Sequence, residues 1–380
     1  MKSPNNFIKK NLSLFILFPL FLKKSFLFFI DPRIWAEEGS IYFTSAVKYG
    51  ALSIFKLQQG YFSIIPNFTL YLASLVDYKF VPLFTFAISF IFWILPFWLI
   101  NNINSDELKD DDLTKFLMGI SLFVLLNNYQ EIFLNTINLQ FITPIILFIV
   151  LLYDFKKLSL IKQILFYILI VICLTNGVLS FPLVPFLIYK MISEKKYEIA
   201  LAFSIAFIIP ILSIFDNATS NSSSISNRFL LNLNYKIEVF KKHDLIDLLN
   251  NNYYWILLFI SLRFLYLKKY ALSYFLAAAL ALFVFVDFAK LLHPDDISVI
   301  PARYKALLFS FLTIIFFVFV KRPILKYLTA LVLVIVFGRN FFKHDFSHNQ
   351  NAKKWSQEYK NLYQKKSAEI HPVGWKIKLK

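Results

Sequence analysis

The sequence predicts an all-α fold: a polytopic transmembrane helix bundle of about eleven crossings, with one short interfacial helix in its first outer loop. Three observations predict it. First, 58% of the 380 residues are hydrophobic, 46 are Phe and only 7 are Gly, and the mean hydropathy is +0.61. A single core in water cannot bury that much apolar surface, whereas spanning helices expose it to lipid and satisfy their backbone internally. Second, apolar runs recur at 7–22, 61–77, 80–100, 116–127, 141–153, 163–175, 178–190, 197–215, 253–267, 271–288, 304–320 and 323–337. Third, Lys and Arg gather in short clusters between those runs, the pattern that orients a chain in a bilayer.

The first run follows a basic start and resembles a signal peptide. No small-residue cleavage site follows it, and Lys23 and Lys24 come next, so it reads as an uncleaved first helix of roughly 24 Å. Four basic clusters then set orientation: Lys156, Lys157 and Lys162; Lys190, Lys195 and Lys196; Lys268 and Lys269; and Lys321, Arg322 and Lys326. With these inside, the loops at 216–252 and 289–303 and the tail lie outside. Twelve crossings from an inside N-terminus would leave the tail inside, so one run fails to cross. The candidates are 61–77, which holds Pro66, and the short 116–127. The expected division is a bundle over 1–338, whose first outer loop is 23–60, and an outer tail over 339–380.

The net charge of +17 would suggest nucleic acid in a soluble protein. Here its distribution fits orientation and contact with anionic lipid instead, and no nucleic-acid partner is expected. Cys173 is the single cysteine, so no intramolecular disulfide forms. The His residues are scattered. His344 and His348 are four apart, but in a polar tail.

One stretch organises the rest: Asp31-Pro32-Arg33-Ile34-Trp35-Ala36-Glu37-Glu38-Gly39-Ser40-Ile41-Tyr42. Asp31 before Pro32 is a helix-start signal and predicts a short helix over 32–49. At helical spacing Glu38, Tyr42, Ser45 and Tyr49 share a face, and Glu37 points roughly 100° away. Gly39 allows a substrate or backbone to approach closely. A carboxylate at the interface can deprotonate an acceptor hydroxyl, or hold a divalent cation such as Mg²⁺ or Mn²⁺ against a phosphate. The plain alternative is a pair of surface acids at a helix N-terminus.

Two further polar groups fall on the same expected side. Glu131, Asn135, Asn138 and Gln140 lie in the segment 128–140 and suit sugar hydroxyls; a hydrated helix end would look the same. His293-Pro294-Asp295-Asp296 precedes Arg303-Tyr304-Lys305, where a guanidinium can clamp a phosphate or simply anchor the interface. The acidic run Asp106, Glu107, Asp110, Asp111 and Asp112 reads as a solvated loop. In the tail, Ile377 and Leu379 alternate with Lys, as in a short strand. With Trp355 and Trp375 suited to the headgroup zone, the tail is expected to fold back on the outer surface.

A single helix, an outer loop with Trp35-Ala36-Glu37-Glu38-Gly39, and Gly60-Tyr61 entering the next run together resemble bacterial multi-spanning glycosyltransferases of the GT-C type. Asn138-Leu139-Gln140, Pro301-Ala302-Arg303-Tyr304 and Pro372-Val373-Gly374-Trp375 are similar to segments in that group. The resemblance implies a transferase in the bacterial cytoplasmic membrane, its active site facing the extracytoplasmic side. It implies a polyprenyl-phosphate-linked sugar as donor and a cell-envelope glycan, lipid or protein as acceptor. The catalytic candidates are Glu38, Glu37 and Asp31. Glu38 is favoured as base for the face it shares with Tyr42, with Glu37 orienting it or binding metal. The substrate-binding candidates are Arg33, Tyr42, Tyr61, Glu131, Asn135, Asn138, Gln140, His293, Arg303, Tyr304 and Lys305. The motif is Glu-Glu where the superfamily commonly has an Asp, which keeps Asp31 in the set.

A flippase or transporter of lipid-linked sugars would use similar interfacial groups. It should also place polar residues at the bilayer midplane, where Asn176 and Asp287 are the clearest candidates. An envelope polysaccharide polymerase, with its chemistry in the 216–252 loop, is the third reading.

Overall fold

The computed structural model describes residues 12–30, 32–58, 61–104, 111–126, 134–177, 179–208, 302–343, 354–370 and 374–379. Helix takes 78% of them, so the chain is mostly helical. The helices are α1 (Leu12–Ile30), α2 (Thr44–Tyr49), α3 (Ile64–Ser74), α4 (Val81–Asn101), α5 (Asp112–Leu126), α6 (Thr143–Leu151), α7 (Leu160–Leu174) and α8 (Val184–Glu194). They continue with α9 (Glu198–Ile208), α10 (Ala302–Phe319), α11 (Pro323–Lys343) and α12 (Trp355–Lys365). A two-stranded antiparallel hairpin, β1 (Ser367–Ile370) and β2 (Trp375–Lys378), is the exception to the all-α expectation. The predicted runs at 253–267 and 271–288 lie outside the described residues.

α6 explains the centre. Every residue from Thr143 to Leu151 is buried, as expected of a helix apolar on all sides. Around it α1, α4, α5, α7, α8, α9 and α10 close one large apolar cluster. Phe21 on α1 meets Phe90 edge-on at 4.9 Å, and Phe148 on α6 meets Phe311 of α10 the same way at 5.6 Å. The outer faces are apolar as well. On α11, Ile324, Leu328, Leu331, Val332 and Ile335 are each more than half exposed.

Hydrogen bonds define two ends of this bundle. At one, Glu38 is tied to Thr136, Ser63 bridges to Asn176, and Tyr78 meets Tyr363 of α12. We name this the loop end. At the opposite end Asn104 pairs with Asp154, Lys196 with Gln163, Glu194 with Phe155 N–H, and Lys326 with Thr114. Three of the four basic clusters named above are at that opposite end. Helix α3 does not run between the ends. It starts where Ile64 N–H meets Thr175 O and finishes beside Asp77, which meets Tyr363, so both its termini are at the loop end. Pro66 sits in its first turn, where the missing N–H costs nothing.

Among the described residues one helical stretch, Tyr78–Asn101, is long and apolar enough to cross a membrane, while Leu160–Leu174, Glu198–Ile208 and Pro323–Phe337 are shorter apolar stretches. The first helix also differs from expectation. It runs on through Lys23 and Lys24 to Ile30, because Phe26 to Ile30 continue the apolar run beyond the two lysines. The loop therefore begins after residue 30, not at 23.

A second, smaller core lies at the loop end. Ile34, Tyr42, Phe43, Ile137, Trp355, Leu362, Ile370 and Ile377 are buried together, joining the first loop to the tail. The hairpin alternates as its register demands. Ala368 opposes Ile377 and both are buried, while Glu369 opposes Lys376 and pairs with it outside at 3.7 Å. Glu358 on α12 is buried and accepts from Glu369 N–H at 2.8 Å, which locks α12 to β1. Trp355 Nε1 donates to Tyr78 O at 3.1 Å. The tail thus folds back over the loop.

Candidate functional site

The predicted continuous helix over 32–49 is not what forms. Residues 32–34 are non-helical and helix begins at Ala36. The reason is Glu38. Its Oε2 accepts from Trp35 N–H at 2.9 Å, three residues back, which is the reciprocal half of a capping box and makes Trp35 the N-cap. The helix then widens into a π-turn over Glu38–Phe43 before tightening into α2. Such π-turns recur at functional sites.

Glu38 and Glu37 have separate fates. The Glu38 carboxylate is buried, and its Oε1 accepts from Thr136 N–H at 2.5 Å and from Thr136 Oγ1 at 2.6 Å. Burial pushes its carboxyl up to about 7, against the pull of those donors and of Trp35 N–H, with the Glu37 charge adding a little. Its oxygens are thus committed to three neutral donors. Glu37 is only half-buried, and its charge reaches the Tyr42 hydroxyl. The face argument that favoured Glu38 holds for burial, since Glu38, Tyr42 and Ser45 are all buried. Burial is what takes Glu38 out of reach, and Tyr49 on the same predicted face is exposed.

Tyr42 is buried, and burial raises its hydroxyl above the usual range, with Tyr61 and Ser63 its nearest polar neighbours. Tyr61 is half-buried, and Gln140 Nε2 donates to its hydroxyl at 3.4 Å. The Gln140 side chain lies over Gly177, where an added Cβ would come within 2.9 Å of Oε1 at φ +84°, so no larger residue fits there. Asn176 Oδ1 accepts from Ile65 N–H at 3.3 Å, and its buried Nδ2 has no hydrogen-bond partner among the described residues. Glu37, Tyr42, Tyr61, Ser63, Gln140 and Asn176 therefore form one polar patch at the loop end.

The other predicted residues divide. Arg33 is half-buried in the same loop. Asn135 and Asn138 are buried and do not share a helix face. Leu134 takes a left-handed φ of +53°, and Asn135 Oδ1 accepts from Asn138 N–H at 2.8 Å, so this side chain caps the turn Ile137–Phe141. Arg303, Tyr304 and Lys305 lie in the first turn of α10, a helix that touches that turn. Asp31, Glu131 and His293 lie outside the described residues, as does Asp287. Asn176 sits just beyond the end of α7, not at mid-bundle.

Sequence reasoning missed Thr136 and Ser63. Thr136 carried no signal beyond lying in a polar segment. For Glu38, its place three residues after Trp35 was the readable clue. Gly39 does permit close approach, but of the tail: an added Cβ would meet Ile370 Cδ1 at 2.6 Å and Ile377 Cγ1 at 2.9 Å.

Among the described residues no three His, Cys, Asp or Glu gather as a metal set. With Glu38 committed, Glu37 is the carboxylate that remains at the patch among the described residues. The cavity of about 910 Å³ lies at the opposite end, between α4 and α7, and takes in none of these groups. The side-chain chemistry of the candidate site is gathered at the loop end. No family model, curated protein or solved structure matches the chain.

Proposed function

We propose that this chain is an integral membrane glycosyltransferase that moves a sugar from a polyprenyl-phosphate donor to an acceptor outside the cytoplasm, with Glu37 as general base. The observation that carries the reading is the split of the acidic pair: Glu38 is buried and anchored, while Glu37 is only half-buried. A base must reach its proton, and of the two neighbouring glutamates Glu37 is the less buried.

Membrane embedding rests on the exposed apolar faces. An outer surface such as that of α11 would be a large apolar patch in water, and lipid is its natural solvent. The two ends then face the two sides of a bacterial cytoplasmic membrane. The lysine clusters put the opposite end inside and the loop end outside. Each bundle helix that runs from end to end is read as a crossing, and α3, which does not, is the run that fails to cross. The two runs outside the described residues complete a set of about eleven.

In the reaction, Glu37 takes the proton of the acceptor hydroxyl as its oxygen bonds to the anomeric carbon. The bond from that carbon to the phosphate oxygen breaks on the opposite face, and its electron pair leaves with the polyprenyl phosphate. One displacement inverts the anomeric centre. Gln140 and Tyr61 offer amide and phenol groups to sugar hydroxyls, and Arg303 and Lys305, at the start of α10, are the proposed phosphate partners. Glu38 acts through the backbone by fixing Trp35 and Thr136, so it is a positioning residue.

The test is purified protein reconstituted with a panel of polyprenyl-phosphate sugars, following release of free polyprenyl phosphate. Release that Glu37→Gln abolishes supports the transferase. Full release from that variant would overturn Glu37 as base. No release with any donor, together with movement of lipid-linked sugar between leaflets, would replace the transferase with a flippase.

A further inference from the structure

Helix α3 carries a face that no step of that mechanism uses. Its inner side is packed: Ile65, Pro66, Thr69, Leu70 and Ala73 are buried. On its outer side Phe68, Tyr71, Leu72 and Leu75 follow at spacings of three, one and three, which places them within about a third of the helix circumference. Phe68 is 46% exposed and Leu75 63%, and Tyr71 and Leu72 are half-buried. No charged residue falls between Ile64 and Ser74. A helix that is apolar on its packed side and on its outward side is not built for water.

The position of that face is fixed. Ile64 N–H donates to Thr175 O at 3.1 Å, and Ile65 N–H donates to Asn176 Oδ1 at 3.3 Å. Asn67 is buried, and its Nδ2 donates to Ile54 O at 3.1 Å and to Lys56 O at 2.9 Å. Those two bonds tie the first turn of α3 to the 3₁₀ turn Gly50–Phe55, where Leu52 and Phe55 are more than half exposed as well. Past the far end of α3, Tyr78 stacks on Tyr363 at 4.8 Å, and Asp77 pairs with Lys79 at 3.8 Å. With both termini at the loop end, and a length of roughly 16 Å against the ~30 Å of a hydrocarbon core, α3 runs along that end.

What covers the stripe follows from what adjoins it. The chain leaves α3 through Leu75 and Phe80 and enters α4, whose own outward row is Leu83, Ile91 and Trp98. All five are more than 40% exposed. The row on α4 spans the helix that is long enough to cross a membrane. Exposed apolar surface therefore turns from the length of the bundle onto its loop end. A protein seated on α3 would leave the α4 row bare, whereas lipid covers both. We propose that α3 lies flat in the outer leaflet, with Phe68, Leu72 and Leu75 against acyl chains and the Tyr71 phenol at headgroup level. Tyr61 and Ser63 immediately precede α3, so the polar patch opens at the height where a lipid-borne substrate travels. This placement rests on the membrane reading and not on the transferase, and its test contains no sugar donor.

The experiment uses the full chain reconstituted in phosphatidylcholine vesicles, with a nitroxide on one introduced cysteine at a time. Cys173 is buried, and wild type gives the unlabelled background. Phe68→Cys, Leu72→Cys and Leu75→Cys probe the stripe. Ile335→Cys probes the exposed face of α11 and Lys360→Cys the exposed side of α12. Collisions with oxygen, which partitions into lipid, are compared with collisions with a water-soluble nickel chelate. The expected result is loss of nickel contact at 68, 72 and 75 relative to 360, at one shared depth that is shallower than that of 335. Nickel contact at the three positions equal to that at 360, with 335 still shielded, would overturn the lipid contact and leave the membrane reading standing. Little contact with either reagent would mean that residues 209–301 or a second copy cover the stripe, and would overturn lipid as its occupant. A depth difference of about 10 Å between 68 and 75, the rise of seven residues along an upright helix, would overturn the flat placement. Nickel contact at 335 as well would overturn the membrane reading itself.

Discussion

The two ends of the bundle handle charge in opposite ways. At the loop end the Glu38 carboxylate is buried and held by neutral donors from Trp35 and Thr136, and a hairpin closes over it. At the opposite end lysines meet acids in ion pairs around an open groove, as Lys157 meets Asp154. A buried charge held by backbone donors fixes geometry, because leaving any of its partners unmet costs the full desolvation of that group. Exposed ion pairs fix little and contribute little. The difference teaches where positional accuracy is concentrated, and it is beside Glu37.

The sharpest way to break the comparison is at the acidic pair itself. Glu37→Gln should lower the transfer rate about 10²- to 10⁴-fold, the range for removing a general base, with melting unchanged. Glu38→Ala should reverse that pattern. It leaves Trp35 N–H, Thr136 N–H and the Thr136 hydroxyl without their acceptor, at a cost of about 3 kcal/mol in stability, seen in chemical or thermal unfolding of the purified protein. If instead Glu38→Ala melts like wild type and Glu37→Gln unfolds, the two roles are exchanged.

Titration sharpens the same contrast. The Glu38 carboxyl rises from 4.5 to about 7 on folding, so the folded state binds the extra proton between those values. Stability from this group is therefore full below about pH 4.5 and is lost as pH rises through 7, by on the order of 3 kcal/mol. Melting of wild type against Glu38→Gln across pH 4.5 to 7.5 reads the slope, which the amide variant should lack.

Gly39 tests the closure. A Cβ there meets Ile370 and Ile377 inside 3.0 Å, so Gly39→Ala should loosen the hairpin by about 2 kcal/mol. The readout is protease cleavage or hydrogen exchange in 367–379. Ile370→Val removes the Cδ1 atom nearest the new methyl, so the double variant should recover part of the loss. A hairpin equally protected in Gly39→Ala would mean that the contact is not what seats it.

Much of this was legible, and unevenly. Apolar runs marked the helices, since period and length survive in any packing; α4 at Val81–Asn101 matches the run 80–100. The strand at the tail was readable from Ile377 and Leu379 alternating with Lys. What the sequence could not show is which side of a helix a neighbour covers. Spacing put Glu38 and Tyr42 on one face, but whether that face meets a substrate or Thr136 depends on residues nearly a hundred positions away. The helical face expected of Asn135 and Asn138 does not form, for a local reason. Asn side chains compete for backbone donors, and Asn135 caps a turn where helical spacing had suggested a sugar-binding face. Asn176 looked like a midplane polar group only because no neighbour was visible; the bridge to Ser63 moves it to the loop end.

The smallest expected effect is the most specific to the comparison. Lys326 is buried, with its ammonium 3.0 Å from Thr114 Oγ1 and 3.5 Å from Asp111. Burial would raise the Asp111 carboxyl, but Thr114 and Lys326 outweigh it and hold it below its usual value. The sign is the reverse of Glu38: this contribution is present above the unfolded value and is lost as pH falls through the folded one. Acid should therefore loosen the opposite end while it tightens the loop end. Because Asp111 is 44% exposed, Lys326→Met should cost at most about 1 kcal/mol at low salt. That cost should shrink in 1 M salt, where the screening length falls to about 3 Å. The Glu38→Ala cost should not move with salt, since its partners carry no charge. A salt-independent Lys326→Met cost would show that packing, not charge, holds the opposite end, and the contrast between the ends would then be one of openness alone.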